Sequence, residues 1–433
     1  MPLAPHPASF TDWLRDHASP LTHLAPEAPF DDLEPLRDLI GTARVVGIGE
    51  NSHFIDEFAH LRQRILRFLV EQCGFTVLAF EYGFSEGFPL DAWARGEGDD
   101  EDLSAHLDST IPVGVAGPLR WMRRYNRAAE QPVRFAGIDI PAAGGSLLPA
   151  LGPVTDYLRQ VDSESLPVVE AAVRIAESFA GGSAADAAPA WARLPTAEQD
   201  ALSALLTRLL IRFRSVEPLY VSRSDQHSYD IALRGLEGAC AGDYTFRAMA
   251  DLFAGRGLTA DTSARELYMA ESLMWHIKRY EPGTRIVLAS HNAHLHKTSI
   301  SFDGRLTALP VGQHLHRFLG DQYLALGLTS IAGHTADMRR DETAPFGFTV
   351  DNTALQPPEQ GSVEAAFAAA DLGLSIADLR QARPAAAATD ADLGTWPDRI
   401  RLQGSYLHTS VLDAFDAVLC TPTSTVTNTL HDS

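Results

Sequence analysis

The stretch Arg44-Val-Val-Gly-Ile-Gly-Glu-Asn-Ser-His-Phe-Ile-Asp-Glu57 joins an apolar run, a glycine turn and three chemically able side chains. Val45, Val46 and Ile48 suit a short strand covered on both faces, and Gly47 and Gly49 let backbone or ligand come close where that strand ends. Glu50, Asn51, Ser52 and His53 then fall at its carboxyl end. Phe58, Leu61, Ile65, Leu66 and Leu69 recur at helical steps, and Gly74 stands where a left-handed cap is needed. The reading is strand, reactive turn, helix.

Four further β-rich runs repeat the motif. Residues 75–80 end at Glu81, 133–138 at Asp139, 285–289 at Ser290-His291, and 323–328 at Thr329-Ser330. Helical stretches between them predict parallel pairing, hence an α/β fold with a mainly parallel β-sheet flanked by helices. In such sheets ligands bind beyond the carboxyl ends of the strands, so Glu50, His53, Glu81, Asp139 and His291 are expected on one rim. The chain between Asp139 and Arg285 is too long for one crossover. Its Leu, Val and Ile spacing predicts a helical insertion subdomain over 148–257, a candidate lid, with an Ala- and Gly-rich break over 180–189. The α/β core is then built from 1–147 and 258–433. Ser9 and Asp12 have capping-box spacing ahead of a short outer helix. A loop-rich tail follows Gly333 and contains 346–350. Residues 384–388 read as a linker or helix end, and 416–420 as a last edge strand.

Composition narrows the function. Thirty-five Lys and Arg against 56 Asp and Glu leave a net charge of −21, which repels phosphate backbones and anionic lipid. Nucleic acid and membrane partners are not expected. Cys73, Cys240 and Cys420 are too few and too scattered for a disulfide framework or a thiolate zinc cluster. No basic segment followed by an apolar run opens the chain, and no stretch is long and apolar enough to cross a bilayer. A cytoplasmic location is expected.

Three chemistries compete for the rim. Glu50 lies three residues before His53, so the carboxylate can fix the imidazole's tautomer and leave the ring to activate water. Glu81 adds a second carboxylate, and Arg62, two turns into the first helix, is placed to pair with either acid or to stabilise negative charge on a substrate oxygen. The structural alternatives are a histidine that only caps a helix and an arginine in a plain ion pair. A metal centre is the second reading, with His291, His294 and His296 joined to Glu50 and His53. His296, His314 and His316 otherwise read as surface residues. The third is a serine nucleophile, because Gly83-Phe-Ser85-Glu-Gly87 fits the elbow pattern, with Asp139 and His291 downstream.

Gly49-Glu-Asn-Ser-His-Phe54, Phe80-Glu-Tyr-Gly-Phe-Ser-Glu-Gly87, Gly137-Ile-Asp-Ile-Pro141 and His291-Asn-Ala-His294 together resemble the erythromycin esterase family, and within it the type II macrolide esterases. The likeness continues through Gly144-Gly-Ser146, Gly333-His-Thr335, Val350-Asp-Asn352 and Gly361-Ser-Val-Glu364, nearly the whole chain from Trp13. It implies hydrolysis of the macrolactone ester of 14-membered macrolides by a histidine-activated water, without an acyl-enzyme, cofactor or metal. It carries the essential histidine onto His53, the paired glutamates onto Glu50 and Glu81, the arginine onto Arg62, and the later histidines onto His291 and His294. The first five of these, without His294, form the expected catalytic set, and His294 is expected nearer the substrate. The alternatives are a serine or metal hydrolase of other esters and a protein that only sequesters macrolides.

Overall fold

The computed structural model describes residues 9–107, 114–302, 305–341, 343–344, 346–387 and 396–427. The apolar runs become strands β1 (Val45–Ile48), β2 (Phe75–Gly83), β3 (Arg134–Asp139), β4 (Arg285–Ala289) and β5 (Tyr323–Arg340), followed by β6 (Phe348–Ala354), β7 (Ser375–Asp378) and β8 (Ala417–Ser424). Across the sheet the order is the Ser19–Pro20 strand, then β7, β8, β5, β1, β4, β2 and β3. The six strands from β8 to β3 are parallel. The two at the β7 edge and the β5–β6 pair are antiparallel. The opening stretch therefore supplies the central strand, with β4 and β5 on either side of it.

All four residues of β1 are buried. Val46 and Ile48 pack with Phe58, Leu61, Ile65 and Leu69 of the helix Asp56–Cys73 on one face of the sheet. Val45 packs on the other face with Leu273 and Ile277 of the helix Ser263–Arg279. Gly74 ends the first helix at φ 72°, in the left-handed region a glycine enters freely, and its N–H bonds to Leu69 O. Ser9 caps the helix Phe10–His17 through the Asp12 N–H.

Three expectations need correction. The strand at 417–424 is not an edge: it runs parallel to β5 and carries β7 on its other side. Its unbroken buried run Ala417–Thr421 is what a strand covered on both faces requires. The tail after Gly333 is not simply loop, because β5 continues past the rim and pairs with β6 as a hairpin arm. Within the predicted break, Ala184–Ala192 is a helix, capped by Ser183. The 384–388 stretch begins inside the helix Leu379–Ala387, and Ala388 lies outside the described residues.

Between β3 and β4, helices Leu148–Val161, Leu166–Glu177, Ala184–Ala192, Thr196–Ser215, Glu217–Arg223 and Gln226–Phe253 bury an apolar cluster of their own, including Leu151, Leu158, Trp191, Leu206, Phe213 and Leu236. No helix among the described residues is long and apolar enough to cross a membrane.

Candidate active site

The turn after β1 is held from several directions. Asn292 donates its backbone N–H to Glu50 O at 2.8 Å and its amide to Leu328 O at 2.8 Å, and so ties the ends of β1 and β5 together. Its side chain fills the place where any Cβ at Gly49 would stand, 1.9 Å from Asn292 Oδ1. The close approach expected at Gly49 is thus made by Asn292. Phe54 sits at φ 59°, a left-handed conformation that costs a non-glycine residue about 1–2 kcal/mol. It is pinned by the Thr427 N–H on its carbonyl at 2.8 Å.

Glu50 Oε1 takes two partners, His53 Nδ1 at 2.8 Å and Arg62 Nη1 at 2.6 Å. Arg62, buried on its helix, also lies over the Phe80 ring at 5.2 Å. Burial alone would raise the Glu50 carboxyl, but the Arg62 charge and the His53 hydrogen bond outweigh it and hold the group at about 2. Burial would lower His53, yet the Glu50 hydrogen bond and charge, with the Glu81 charge, lift it above the ordinary histidine value.

Glu81, at the end of β2, anchors the opposite wall. Its Oε2 accepts from Ser290 Oγ at 2.7 Å and from the His291 backbone N–H at 3.0 Å. Its Oε1 meets His294 Nε2 at 3.2 Å and Arg265 Nη2 at 3.4 Å. His294 Nδ1 bonds to Glu266 at 2.8 Å, so both ring nitrogens face carboxylates. Burial opposes the charge on His294, but these two acids push the ring well above the usual range. Burial likewise opposes Glu81, and His294, His53 and Arg265 keep it ionised, well below the usual carboxylate range. Arg265 also clamps Asp139, at 2.9 and 2.6 Å.

His291 is the electrostatic opposite of its neighbours. Its Nδ1 accepts from the Ala293 N–H at 3.2 Å, which puts the ring proton on Nε2. That nitrogen is buried and has no hydrogen-bond partner among the described residues. Burial and the nearby His53 push the ring down to about 3 despite the Glu81 and Glu50 charges, so it stays neutral. The His53 and His291 rings stand 5.1 Å apart, edge to face.

These groups line a cavity of about 490 Å³ that holds Glu50, His53, Arg62, Glu81, His291 and His294 together. That size lies within the roughly 300–1,000 Å³ usual for small-molecule sites. Met338 and Arg340 of β5, Phe348 of β6 and Ala142, Ser183 and Ala185 from the β3–β4 connection also line it.

Ser85 is not among the cavity-lining residues. Its Oγ packs against Gly235 of the helix Gln226–Phe253, while Asp139 is taken by Arg265 and His291 Nδ1 by backbone. The elbow glycines have another explanation: a Cβ at Gly87 would stand 2.4 Å from Gly137 N, and one at Gly83 would collide with the Glu86 carboxyl. Nor do the three late histidines share a centre. His296, expected at the surface, is fully buried and bonds to Thr298 Oγ1 at 2.9 Å, because its turn packs beneath Phe415. Among the described residues no three His, Cys, Asp or Glu side chains group to hold a metal ion. The sequence did not single out Arg265, Glu266 or Glu86. The first two lie on a helix whose partners are over a hundred and twenty-five positions away in one case and 28 in the other.

Comparison with known proteins follows the same lines. The erythromycin esterase family profile matches residues 70–424. The chain is 36% identical to erythromycin esterase type II of Escherichia coli over 98% of this chain and 100% of that one. It is 30% identical to erythromycin esterase type I of Escherichia coli, over 90% and 93%. Among solved structures, a mutant of the erythromycin esterase EreC in its open conformation superposes with a TM-score of 0.84 at 27% identity, over 94% of this chain and 97% of that one.

Proposed function

The chain belongs to the erythromycin esterase family, hydrolases of ester bonds, and we propose that it opens the macrolactone ester of 14-membered macrolides such as erythromycin with a water activated by His53, and so confers macrolide resistance. The observation that carries this reading is the pairing of a carboxylate-backed histidine with a neutral histidine donor inside one cavity.

With Glu50 ionised and bonded to Nδ1, neutral His53 carries its proton there and offers Nε2 as the acceptor. It takes a proton from water as the hydroxide oxygen adds to the ester carbonyl. His291 Nε2–H, undiverted by any other partner, donates to the oxyanion as charge develops. When the tetrahedral intermediate collapses, the ring C–O bond breaks, and the proton held by His53 passes to the departing alkoxide. The products are a carboxylic acid and an alcohol, and the balance requires no covalent enzyme intermediate, cofactor or metal.

Arg62 fixes Glu50 and supplies positive charge behind the base. Glu81, itself held by His294, Arg265 and Ser290, fixes His291 through its backbone. His294 also borders the drug on the cavity wall. The apolar side chains of Met338, Phe348 and Ala185 suit a large natural product, and the acidic net charge favours a cationic amino sugar. The location proposed is the cytoplasm.

The test is a mass spectrum of erythromycin after incubation with the protein. Gain of one water with loss of the ring ester is expected. Unchanged mass with tight binding would mean sequestration, and cleavage of other esters with the macrolide left intact would mean the wrong substrate class.

A further inference from the structure

Glu86 lines the same cavity and has no part in the reaction described above. Its Oε1 accepts from the Ala142 N–H at 2.7 Å, while its Oε2 is buried with no hydrogen-bond partner among the described residues. The carboxyl lies over the Cα of Gly83, where a Cβ would stand 2.2 Å from Oε2. Glycine at 83 therefore makes the room that the acid occupies. Ala142 and Ala143, across from it, adopt φ 49° and 48°, left-handed values that alanine rarely takes. The turn is held so that one N–H meets Oε1 and the other oxygen stays uncommitted.

Two of the cavity's arginines are engaged elsewhere. Arg62 is taken by Glu50, and Arg265 by Asp139 and Glu81. An ionised carboxylate at Glu86 would be buried with an unpaired oxygen, an expensive arrangement, whereas a carboxylic acid needs only one acceptor for its proton. We propose that Glu86 is held as a neutral carboxylic acid whose Oε2–H donates a hydrogen bond to an uncharged oxygen, a hydroxyl or carbonyl, of the bound ester substrate, making it a substrate-binding group that works through its protonated form. The proposal rests on the ester-hydrolase reading of this cavity.

The charges around it agree. Burial raises the carboxyl, the backbone N–H groups of Ala142 and of Glu86 itself oppose, and the negative Asp139 adds to the rise, so that Glu86 reaches about 7. The titratable groups facing it are Asp139 at the end of β3, with Arg265 paired to it, and Tyr268 on the helix Ser263–Arg279, whose hydroxyl burial pushes well above the usual tyrosine range, so that it stays neutral. Below neutrality Glu86 is a donor; above it the donor is lost and a negative charge appears in its place.

Glu86→Gln and Glu86→Leu in the full chain test this. Gln keeps an acceptor for Ala142 and an N–H donor for the substrate; Leu keeps neither. Leu should raise the macrolide KM about tenfold with a smaller change in kcat, as expected when a substrate oxygen is left without its donor, and Gln should raise it less. The parent's KM should climb as pH passes neutrality, and that climb should vanish in Glu86→Gln. Infrared difference spectra of the parent at mildly acid pH should contain a protonated-carboxyl stretch that Glu86→Gln lacks. Equal KM values for the two variants, or an identical carboxyl band in parent and Glu86→Gln, would overturn the proposal while leaving turnover in place. If no macrolide is hydrolysed at all, the ester-hydrolase reading fails, and the infrared band still reports separately whether Glu86 carries its proton.

Discussion

Replacing His53 by Asn while replacing Ser85 by Ala in a second variant separates the two mechanisms the chain could run. His53→Asn removes the ring nitrogen that takes the proton from water. Loss of a general base lowers turnover roughly a hundred- to ten-thousandfold. On the barrier this is about 2.7–5.5 kcal/mol. The fold should survive: Glu50 loses one hydrogen bond, about 1.5–3 kcal/mol for a charged acceptor, but keeps Arg62 at 2.6 Å as its counter-ion. Against a folded-state margin of about 5–15 kcal/mol that leaves the protein native. Ser85→Ala removes a hydroxyl that lies against Gly235, outside the cavity lining, so turnover should stay within about tenfold of the parent. The assay is chromatography with mass detection of ring-opened drug, giving kcat and KM for each variant, beside a thermal melt. Macrolide binding by His53→Asn should largely persist. The reasoning collapses if Ser85→Ala is dead, a phosphonate or sulfonyl reagent adds to Ser85, and His53→Asn still turns over.

Three further outcomes follow from the same geometry. EDTA should leave hydrolysis intact; activity lost to the chelator and restored by one divalent ion would revive the metal reading. His53 must be neutral to accept a proton, and burial, which lowers it, is outweighed by Glu50 and Glu81, so the acid limb of the kcat/KM profile should lie above the ordinary histidine value of 6.5 and activity should rise with pH through it; a limb below that value would contradict the assignment. Residues 148–257 should close over a bound, non-hydrolysable macrolide, since Ser183 and Ala185 already form part of the cavity wall and Ser183 bonds to Phe346 O of the hairpin arm; unchanged scattering radius and unchanged amide exchange in that segment would mean a preformed pocket.

What the sequence disclosed was local. The runs that became β1, β2, β3 and β4 are short and apolar, and each ends on a polar residue, so strand ends and rim residues could be read together. Glu50 and His53 are three apart, close enough for their bond to be foreseen. What it hid was long-range. Arg265 and Asp139 are 126 positions apart, and Arg265 and Glu81 are 184 apart. Nothing in the neighbourhood of Arg265 marks it as a clamp. The hairpin arm was missed because the far half of β5, from Ile331 to Arg340, is mostly half-buried or exposed and does not continue the apolar run. The edge reading of 416–420 overlooked that Val418, Leu419 and Cys420 are all apolar, a pattern for a strand with neighbours on both sides. Glu86 sat inside a motif read for its serine, and its significance lies in the space left by Gly83, which only the fold discloses.

Two histidines with rings 5.1 Å apart would ordinarily titrate alike, and a site that needs both a base and an electrophile must separate them. The separation here is made by what each Nδ1 meets. At His53 it meets an ionised carboxylate, which favours the protonated ring and orients Nε2 as the acceptor. At His291 it meets a backbone N–H, which can only be accepted by a neutral nitrogen, and burial then keeps that ring near 3 with its proton on Nε2. A proton gained by His53 further disfavours one on His291, so base and donor keep their roles as the reaction proceeds. The backbone sets this division. Asn292 and Gly49 fix the β1 turn that carries Glu50 and His53, while Glu81 holds the His291 N–H and directs that ring's turn against β2. Substituting Glu81 should therefore disturb His291 before it disturbs His53, and the loss should fall on kcat more than on the acid limb of the pH profile.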